Sequence, residues 1–308
     1  MIGQQVQQHA AAPTVAPVSQ RRQRAGRRSF WRRLGDQVIT VIALLIALVW
    51  SLPTLGLLIS SFRPPSLIST TGWWTALLPP WHFTLQNYVQ VITAQGLGRA
   101  FINSVIIAVP STILPALIGS FAAFAFAWMR FPARNTIFFG IITLQIIPLQ
   151  IALVPLLQIF TNIGLTGQYA AVWLAHTAFG LPFAIFLLRN FFAALPRDLL
   201  EAAYVDGASN FRLFWTIVLP LSLPALASLV IFQFLWVWND LLVALIFLGG
   251  NPQSAPMTLT VASLVGSYGE NDQVLTAAAF LSMALPLVIF FALQRYFIRG
   301  ILAGSVKG

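Results

Sequence analysis

The stretch INSVIIAVPSTILPALIGSFAAFAFAW, residues Ile102 to Trp128, contains no charged side chain. A helix of about 20 such residues crosses the roughly 30 Å hydrocarbon core of a bilayer. Three more uncharged runs are of similar length and two are slightly shorter: Val38 to Ser60, Thr136 to Phe160, Leu213 to Trp238, Tyr169 to Leu188 and Leu275 to Leu293. The sequence therefore predicts an all-α membrane protein with six transmembrane helices.

The overall composition supports the same fold class. Hydrophobic residues make up 58% of the 308 residues and charged residues only 8%, whereas soluble domains carry roughly 25% charged residues. So few charges cannot cover a protein that faces water on all sides, and the apolar surface must face lipid.

The basic residues indicate how the six helices are oriented. If the N-terminus is cytoplasmic, 15 of the 17 basic residues fall in the tails and inner loops, and only Arg63 and Arg99 fall outside. Lysine and arginine accumulate on the cytoplasmic side of membrane proteins. The pattern predicts that both termini are cytoplasmic, and it argues against a nucleic-acid-binding patch as the source of the net charge of +10.

The N-terminal segment differs from the rest of the chain. Residues 1–33 are rich in Gln, Ala and Arg without apolar periodicity, which predicts a disordered basic cytoplasmic tail. Residues 34–308 then form the transmembrane domain. A cleaved signal peptide is the alternative, but the first apolar run is too long and no small-residue cleavage site follows it before Arg63.

Several classes of chemistry lack their residues. There is no cysteine, and the three histidines, His9, His82 and His176, do not have metal-ligand spacing. The only lysine is Lys307, so a phosphate-binding loop of the Walker type is impossible. No acidic residue lies in the middle of a predicted span, which argues against an ion-coupled carrier. We expect no catalytic, metal or cofactor site in this chain, and any transport to be powered by a partner.

The predicted inner loop between the fourth and fifth spans has clear local signals. It reads LPRDLLEAAYVDGASN from Leu195 to Asn210. Pro196 suits the first helical position, Gly207 suits the left-handed residue that ends a helix, and Ser209 or Asn210 can cap the next one. The loop predicts a short helix over about 196–207, which either docks a partner protein or rests on lipid headgroups.

A family resemblance favours the first alternative. Glu201-Ala202-Ala203, Gly207, Ile217 and Leu219-Pro220 match every position of the E-A-A loop of binding-protein-dependent ABC importers. Three further segments resemble the carbohydrate branch, in particular the smaller maltose-type membrane subunit: Phe101 to Ser104, Trp238 to Asp240, and the C-terminal tail from Gln294 to Gly308. The resemblance implies a type I ABC importer permease fold in the bacterial cytoplasmic (inner) membrane.

The same resemblance implies an assembly and a coupling site. The partners would be a second homologous permease, two ATPase subunits that bind ATP and magnesium, and an extracytoplasmic sugar-binding protein. The loop would be the coupling helix, with five residues docking on the ATPase: Glu201, Ala202, Ala203, Asp206 and Gly207. The loop containing Gly249, Gly250, Asn251 and Pro252 would face the binding protein.

Candidate sugar contacts lie around the fifth span. Sugar sites favour aromatic faces with amide or carboxylate partners, and the candidates are His176, Gln233, Trp236, Trp238, Asn239 and Asp240. Tryptophans at span ends are also common interfacial anchors, and buried Gln and His often bond neighbouring helices, so a structural role stays open for each. The runs around Trp173 and Phe232 most resemble the alpha-glucoside subgroup, and an importer of another solute such as glycerol phosphate is the nearest alternative.

Overall fold

The computed structural model describes the backbone of residues 18–265 and 272–305, and the side chains of residues 35–265 and 272–294. Within these ranges the chain is helical and contains no strand. The helices are α1 Val18–Ser61, α2 Pro65–Ile68, α3 Gln86–Thr93, α4 Leu97–Trp128, α5 Arg134–Thr143, α6 Leu149–Asn162, α7 Tyr169–Ala193, α8 Arg197–Val205, α9 Asn210–Leu213, α10 Leu219–Leu221, α11 Leu223–Trp238, α12 Leu242–Leu248, α13 Met257–Ser263 and α14 Asp272–Ser305.

Four helical segments are each long and apolar enough to cross a bilayer by themselves: Gly35–Ser61, Leu97–Trp128, Tyr169–Ala193 and Asp272–Gln294. Two pairs of helices pass the same test together, so the described part of the chain has between four and six candidate spans. The predicted all-α membrane fold is confirmed. The predicted third and fifth spans, however, are bent rather than straight.

Prolines account for both bends. The third predicted span turns by 101° between Arg134–Ile146 and Leu149–Asn162. Pro148 lies in the break, and Ile147 before it is extended, as the residue before a proline prefers. The fifth turns by 76° between α10 and α11, where Pro220 and Pro224 remove backbone donors and residues 214–218 form a π-helical turn.

Two expectations from the sequence need correction. Residues 18–33 belong to α1 and are not a disordered tail, because Gln, Arg and Ala are good helix formers and extend the apolar helix towards the N-terminus. Residues 1–17 lie outside the described part. The apolar run Leu241–Leu248 is too short to span a bilayer, so its sequence predicts a re-entrant segment or an extension of the fifth span. It instead forms a separate helix, α12, which follows Asp240.

The centre of the bundle is the contact between α4 and α7. At its closest point a Cβ built on Gly119 would lie 2.8 Å from Ala184 Cβ. Ala123 and Ala184 are both fully buried. Small residues let membrane helices approach closely where no hydrophobic driving force holds them together. This contact fixes α7, which carries residues of both candidate sites described below.

Candidate functional site

The E-A-A loop forms a helix, α8, with one face buried against the rest of the chain and one exposed face. We call these its inner and outer face. α8 buries Leu200 and Ala203 in a core cluster with Phe192, Leu213 and Phe214. Glu201 and Ala202 are exposed. Ala203 was predicted to contact the ATPase, but its side chain packs against this chain's own core. Because this side chain is small, α8 can pack closely against the spans.

The C-terminus of α8 is a complete Schellman motif. Ala208 N donates to Ala203 O at 2.9 Å and Gly207 N donates to Tyr204 O at 3.0 Å. Gly207 has φ +80°, which confirms the predicted left-handed residue. An added Cβ there would meet nothing within 4 Å. Gly207 is therefore required by its own backbone, and Asp206 and Gly207 are both exposed.

The next turn is capped as the sequence predicts. The Ser209 side chain accepts a hydrogen bond from Arg212 N at 3.3 Å. Tyr204 Oη and Asn210 Oδ1 form a 2.6 Å hydrogen bond across the turn. Together these bonds hold α8 at a defined angle to the π-helical turn that follows α9.

Sequence reasoning missed the apolar part of the outer face. Val205 is 87% exposed and Leu199 is 48% exposed. At 3.6 residues per turn, Val205 points away from Leu200 and Ala203 and lies one turn after Glu201. Val205 thus presents an apolar side chain beside Glu201, and its burial by a partner would be favourable. The spacing of Glu201 and Val205 at i and i+4 was the available signal.

The segment Phe101 to Ser104 clamps the loop before α13. Asn103 Nδ2 donates to Gln253 O and to Ala255 O, each at 3.0 Å, and Asn103 Oδ1 accepts from Tyr169 Oη at 2.8 Å. Ser104 Oγ accepts from Met257 N at 2.8 Å. Both side chains are buried. The sequence pattern that suggested the family therefore has a physical role, which is to hold this loop on α4.

The loop itself is open to its surroundings. Gly249, Gly250, Asn251 and Pro252 are exposed, and both glycines have positive φ. A cavity of about 880 Å³ opens beside it, lined in part by Gly250, Pro252 and Arg99. The loop therefore presents backbone and small side chains above a wide depression lined by both apolar and polar residues.

The segment Trp238 to Asp240 joins α11 to α12. The Asp240 carboxylate accepts hydrogen bonds from Ala244 N at 3.1 Å and Val243 N at 3.4 Å, so it caps α12. Trp238 is buried, and its indole N–H donates to Ser282 O at 3.0 Å. The Asn239 amide donates to Leu235 O of its own helix at 2.7 Å. In this structure Trp238 and Asn239 have structural roles.

His176 lies beside Asp240 in the interior. The distance from His176 Nε2 to Asp240 Oδ2 is 3.6 Å. His176 is fully buried, and neither ring nitrogen has a hydrogen-bond partner among the described residues. The ring packs edge-on against Trp236, with centroids 5.0 Å apart. Trp238 lines a small cavity together with His176 and Asp240. Five of the six predicted sugar-contact residues therefore lie in one region: His176, Gln233, Trp236, Trp238 and Asp240.

Gln233 is the polar centre of this region. Its Nε2 donates to Ser111 O at 3.2 Å and to His176 O at 3.4 Å, so it connects α4, α7 and α11. Beside it opens a cavity of about 270 Å³. The lining residues are Phe179, Gly180, Phe183, Phe232, Gln233 and Trp236, and we call this cavity the aromatic groove. Sequence reasoning missed the α7 side of the groove, because its phenylalanines are indistinguishable from lipid-facing ones in the sequence.

The described residues contain no group of three or more His, Asp or Glu side chains placed to hold a metal ion. Among the same residues, the contact between an acidic and a basic side chain within 4 Å is that of Asp240 with His176. The described residues thus form two candidate binding surfaces, the outer face of α8 and the aromatic groove.

Comparison with known proteins identifies the family. The model of the binding-protein-dependent transport system inner membrane component matches residues 115–303. An osmoprotective compounds uptake permease protein of Synechocystis is 53% identical over 281 residues, covering 90% of this chain and 93% of its own. An alpha-glucoside transport system permease protein of Rhizobium meliloti is 54% identical over 239 residues, covering 76% and 63%.

Solved structures agree on the fold. A bacterial ABC transporter chain involved in the import of the polysaccharide alginate superposes with a TM-score of 0.63 at 17% identity, covering 88% of this chain and 99% of its own. A chain of the methionine importer in an inward-facing conformation superposes with a TM-score of 0.51 at 21% identity, covering 66% and 95%. The chain belongs to the family of binding-protein-dependent transport system inner membrane components and is the multi-pass membrane subunit of an ABC importer.

Proposed function

We propose that this chain passes a sugar of the alpha-glucoside class, delivered by an extracytoplasmic binding protein, into the cytoplasm. The observation that carries the proposal is the identity of more than half of the aligned residues with permeases named for alpha-glucosides and for osmoprotective compounds. Relatives named for arabinooligosaccharides and for melibiose, raffinose and stachyose are more distant, at 34% and 33%. The likeness to sugar permeases thus extends over several sugar classes, and the relative named for alpha-glucosides is 54% identical over 239 residues.

The outer face of α8 is the proposed ATPase contact. Glu201, Ala202, Asp206 and Gly207 are exposed beside Val205, while Leu200 and Ala203 join α8 to the spans. The Schellman turn and the Tyr204–Asn210 hydrogen bond hold α8 rigidly. A partner bound to its outer face would therefore displace the whole helix, including the residues packed against the spans. ATP and magnesium act in two partner ATPase subunits, and a second homologous permease completes the channel.

The proposed topology places α8 and both termini in the cytoplasm and the loop at Gly249–Pro252 outside, facing the binding protein. The positive-inside distribution of basic residues supports this orientation. An anionic solute such as glycerol phosphate is a weaker candidate. Its phosphate would need a cationic partner, and the lining of the aromatic groove contains no Arg or Lys.

The first experiment is ATP hydrolysis by the complex reconstituted in lipid. The binding protein is added empty or loaded with trehalose, sucrose, maltose, glucosylglycerol or glycerol phosphate. We expect one loaded sugar to stimulate hydrolysis. Stimulation by none of them, with an intact complex, would contradict the alpha-glucoside assignment, and stimulation by glycerol phosphate would replace it.

The coupling role is tested separately by Val205→Asp. Burying a valine side chain contributes about 1.5–3 kcal/mol, and a charge in an apolar contact costs more. We therefore expect at least a tenfold loss of co-purifying ATPase subunit. The control is Val89→Asp on α3, where Val89 is also exposed, at 52%. Equal recovery of the ATPase with both variants would show that the outer face of α8 does not dock it.

A further inference from the structure

We infer that the aromatic groove is a subsite for one ring of the transported sugar, with Gln233 as its hydrogen-bond acceptor and aromatic rings as its walls. The inference rests on the proposed function, since it names the place where this chain would touch that sugar. It assigns the contact to the α7–α11 face rather than to the end of α11, where sequence reasoning also placed Trp238 and Asn239.

The orientation of the Gln233 amide carries the first step. Ser111 O lacks its helical donor because Pro115 has no N–H, and the Gln233 NH₂ group donates to it at 3.2 Å and to His176 O at 3.4 Å. The amide oxygen therefore points away from these two carbonyls, and it accepts no hydrogen bond from the described residues. Gly180 leaves room for it, because an added Cβ there would lie 2.7 Å from the amide. The groove thus has a fixed, unused acceptor at its base.

The walls suit a sugar ring. The Phe183 and Phe232 rings meet edge-to-face with centroids 6.1 Å apart, and Trp236 is held by its contact with His176. The C–H faces of a pyranose pack on aromatic rings while its hydroxyls seek acceptors. The volume of about 270 Å³ lies below the roughly 300–1,000 Å³ of drug-sized ligand pockets. It therefore fits a single ring better than an oligosaccharide.

The acceptor also argues against a lipid-facing groove. An amide oxygen that faces acyl chains has no partner, and such groups are costly in a bilayer. In a water-filled translocation path the same oxygen is hydrated until a hydroxyl replaces the water. The groove therefore faces the path of the solute, and its occupant is the sugar rather than an acyl chain.

Trp236→Phe and Trp236→Leu form a matched pair for the test. Both are made in the reconstituted complex with the sugar that stimulates wild-type hydrolysis most among trehalose, sucrose, maltose and glucosylglycerol. Phe keeps a ring face and Leu removes it. We expect Trp236→Leu to lower sugar uptake per ATP hydrolysed about two- to tenfold, the range that ring stacking gives, and Trp236→Phe to stay within twofold. Equal uptake by the two variants would overturn the subsite, as would a parallel loss of uptake and of stimulated hydrolysis.

A second measurement is independent of transport. The chain contains no cysteine, so Phe183→Cys introduces its only thiol, and a water-soluble methanethiosulfonate reports on that position once partner cysteines have been replaced. We expect the thiol to react and the same sugar to slow the reaction at least threefold. The control is Leu174→Cys, nine residues or two and a half turns earlier on α7 and therefore on its opposite side, which is 47% exposed and whose reactivity should not respond to sugar. A Phe183→Cys thiol that is unreactive, and so covered by lipid or by the second permease, overturns the subsite, and so does one that sugar does not protect.

The two proposals fail separately. If no sugar stimulates hydrolysis by the wild-type complex, the alpha-glucoside function is wrong. If stimulation is present and the groove variants behave like the wild type, only the subsite is wrong.

Discussion

Replacement of Gly207 by alanine tests why the α8 loop needs glycine. Gly207 has φ +80°, and a left-handed conformation costs an ordinary L-residue roughly 1–2 kcal/mol. Alanine also restricts the unfolded chain, which returns about 0.4–1 kcal/mol. An added Cβ would meet nothing within 4 Å, so no clash within this chain contributes. The net expectation is a destabilisation of the turn by about 1 kcal/mol, or a fivefold increase in local opening.

The assay is hydrogen exchange over residues 203–209 of the purified chain, read as the rate for the peptide that contains the Ala208 and Gly207 amides. Gly207→Asn should exchange within twofold of the wild type, because asparagine tolerates the left-handed region. Gly207→Val should exchange faster than Gly207→Ala, because a β-branched residue at positive φ is a severe outlier.

The matched control is Gly140→Ala. Its added Cβ also meets nothing within 4 Å, but Gly140 lies inside α5, where alanine stabilises a helix by about 0.5–1 kcal/mol relative to glycine. The same substitution in equally empty surroundings should therefore have the opposite sign. If Gly207→Ala exchanged as slowly as the wild type, or Gly207→Asn as fast as Gly207→Val, the backbone explanation would be refuted.

Three further substitutions test the packing. Gly119→Leu should destabilise the α4–α7 contact by about 1–3 kcal/mol through overpacking, measured as a lower thermal midpoint in detergent, whereas Gly119→Ala with Ala184→Gly should recover most of the loss; no loss in Gly119→Leu would mean that the helices separate freely. Asn103→Leu leaves two loop carbonyls without a donor, each costing about 1–3 kcal/mol, and should speed proteolysis of the loop at residues 249–256; Tyr169→Phe is the milder control, and equal cleavage in the two would disprove the clamp. Asp240→Ala should cost about 0.5–2 kcal/mol through the lost cap of α12, while Asp240→Asn keeps an acceptor and should cost less; the same thermal midpoint for both would exclude a capping role.

Local signals predicted the α8 loop well. Gly207 and Ser209 take the turn and cap roles that their residue types favour, because such roles depend on backbone geometry a few residues away. The burial of Ala203 was not predictable in this way. Whether a small side chain faces a partner or its own core depends on Phe214 and Leu213, which come from the following turn and span.

The membrane spans show a similar division. The length and composition of the apolar runs were sufficient to locate the four spans that are single long helices, since the bilayer sets one length for them. The bends at residues 147–148 and near Ser222 were less accessible, because many membrane helices contain proline and continue. α4, for example, includes Pro110 and Pro115 without a break.

The candidate sugar residues separated only in three dimensions. Trp236 and Trp238 lie two positions apart in a helix, so they point to different sides. Trp238 is buried against Ser282 and Trp236 reaches the groove. The role of the α7 phenylalanines could not be predicted from the sequence, because they line a groove only where α11 packs beside α7.

The packing of α8 against the spans has a mechanical consequence. Leu200 and Ala203 share one close-packed cluster with Phe192 at the end of α7 and Phe214 in the π-helical turn, and packed interiors are stiff and transmit strain. Moving α8 away from this cluster would open cavities, and each Å³ of cavity costs about 24 cal/mol of stability. The end of α7 and the π-helical turn would therefore move together with α8. The chain would then bend at the proline break near Ser222. A displacement of α8 would therefore rotate α11.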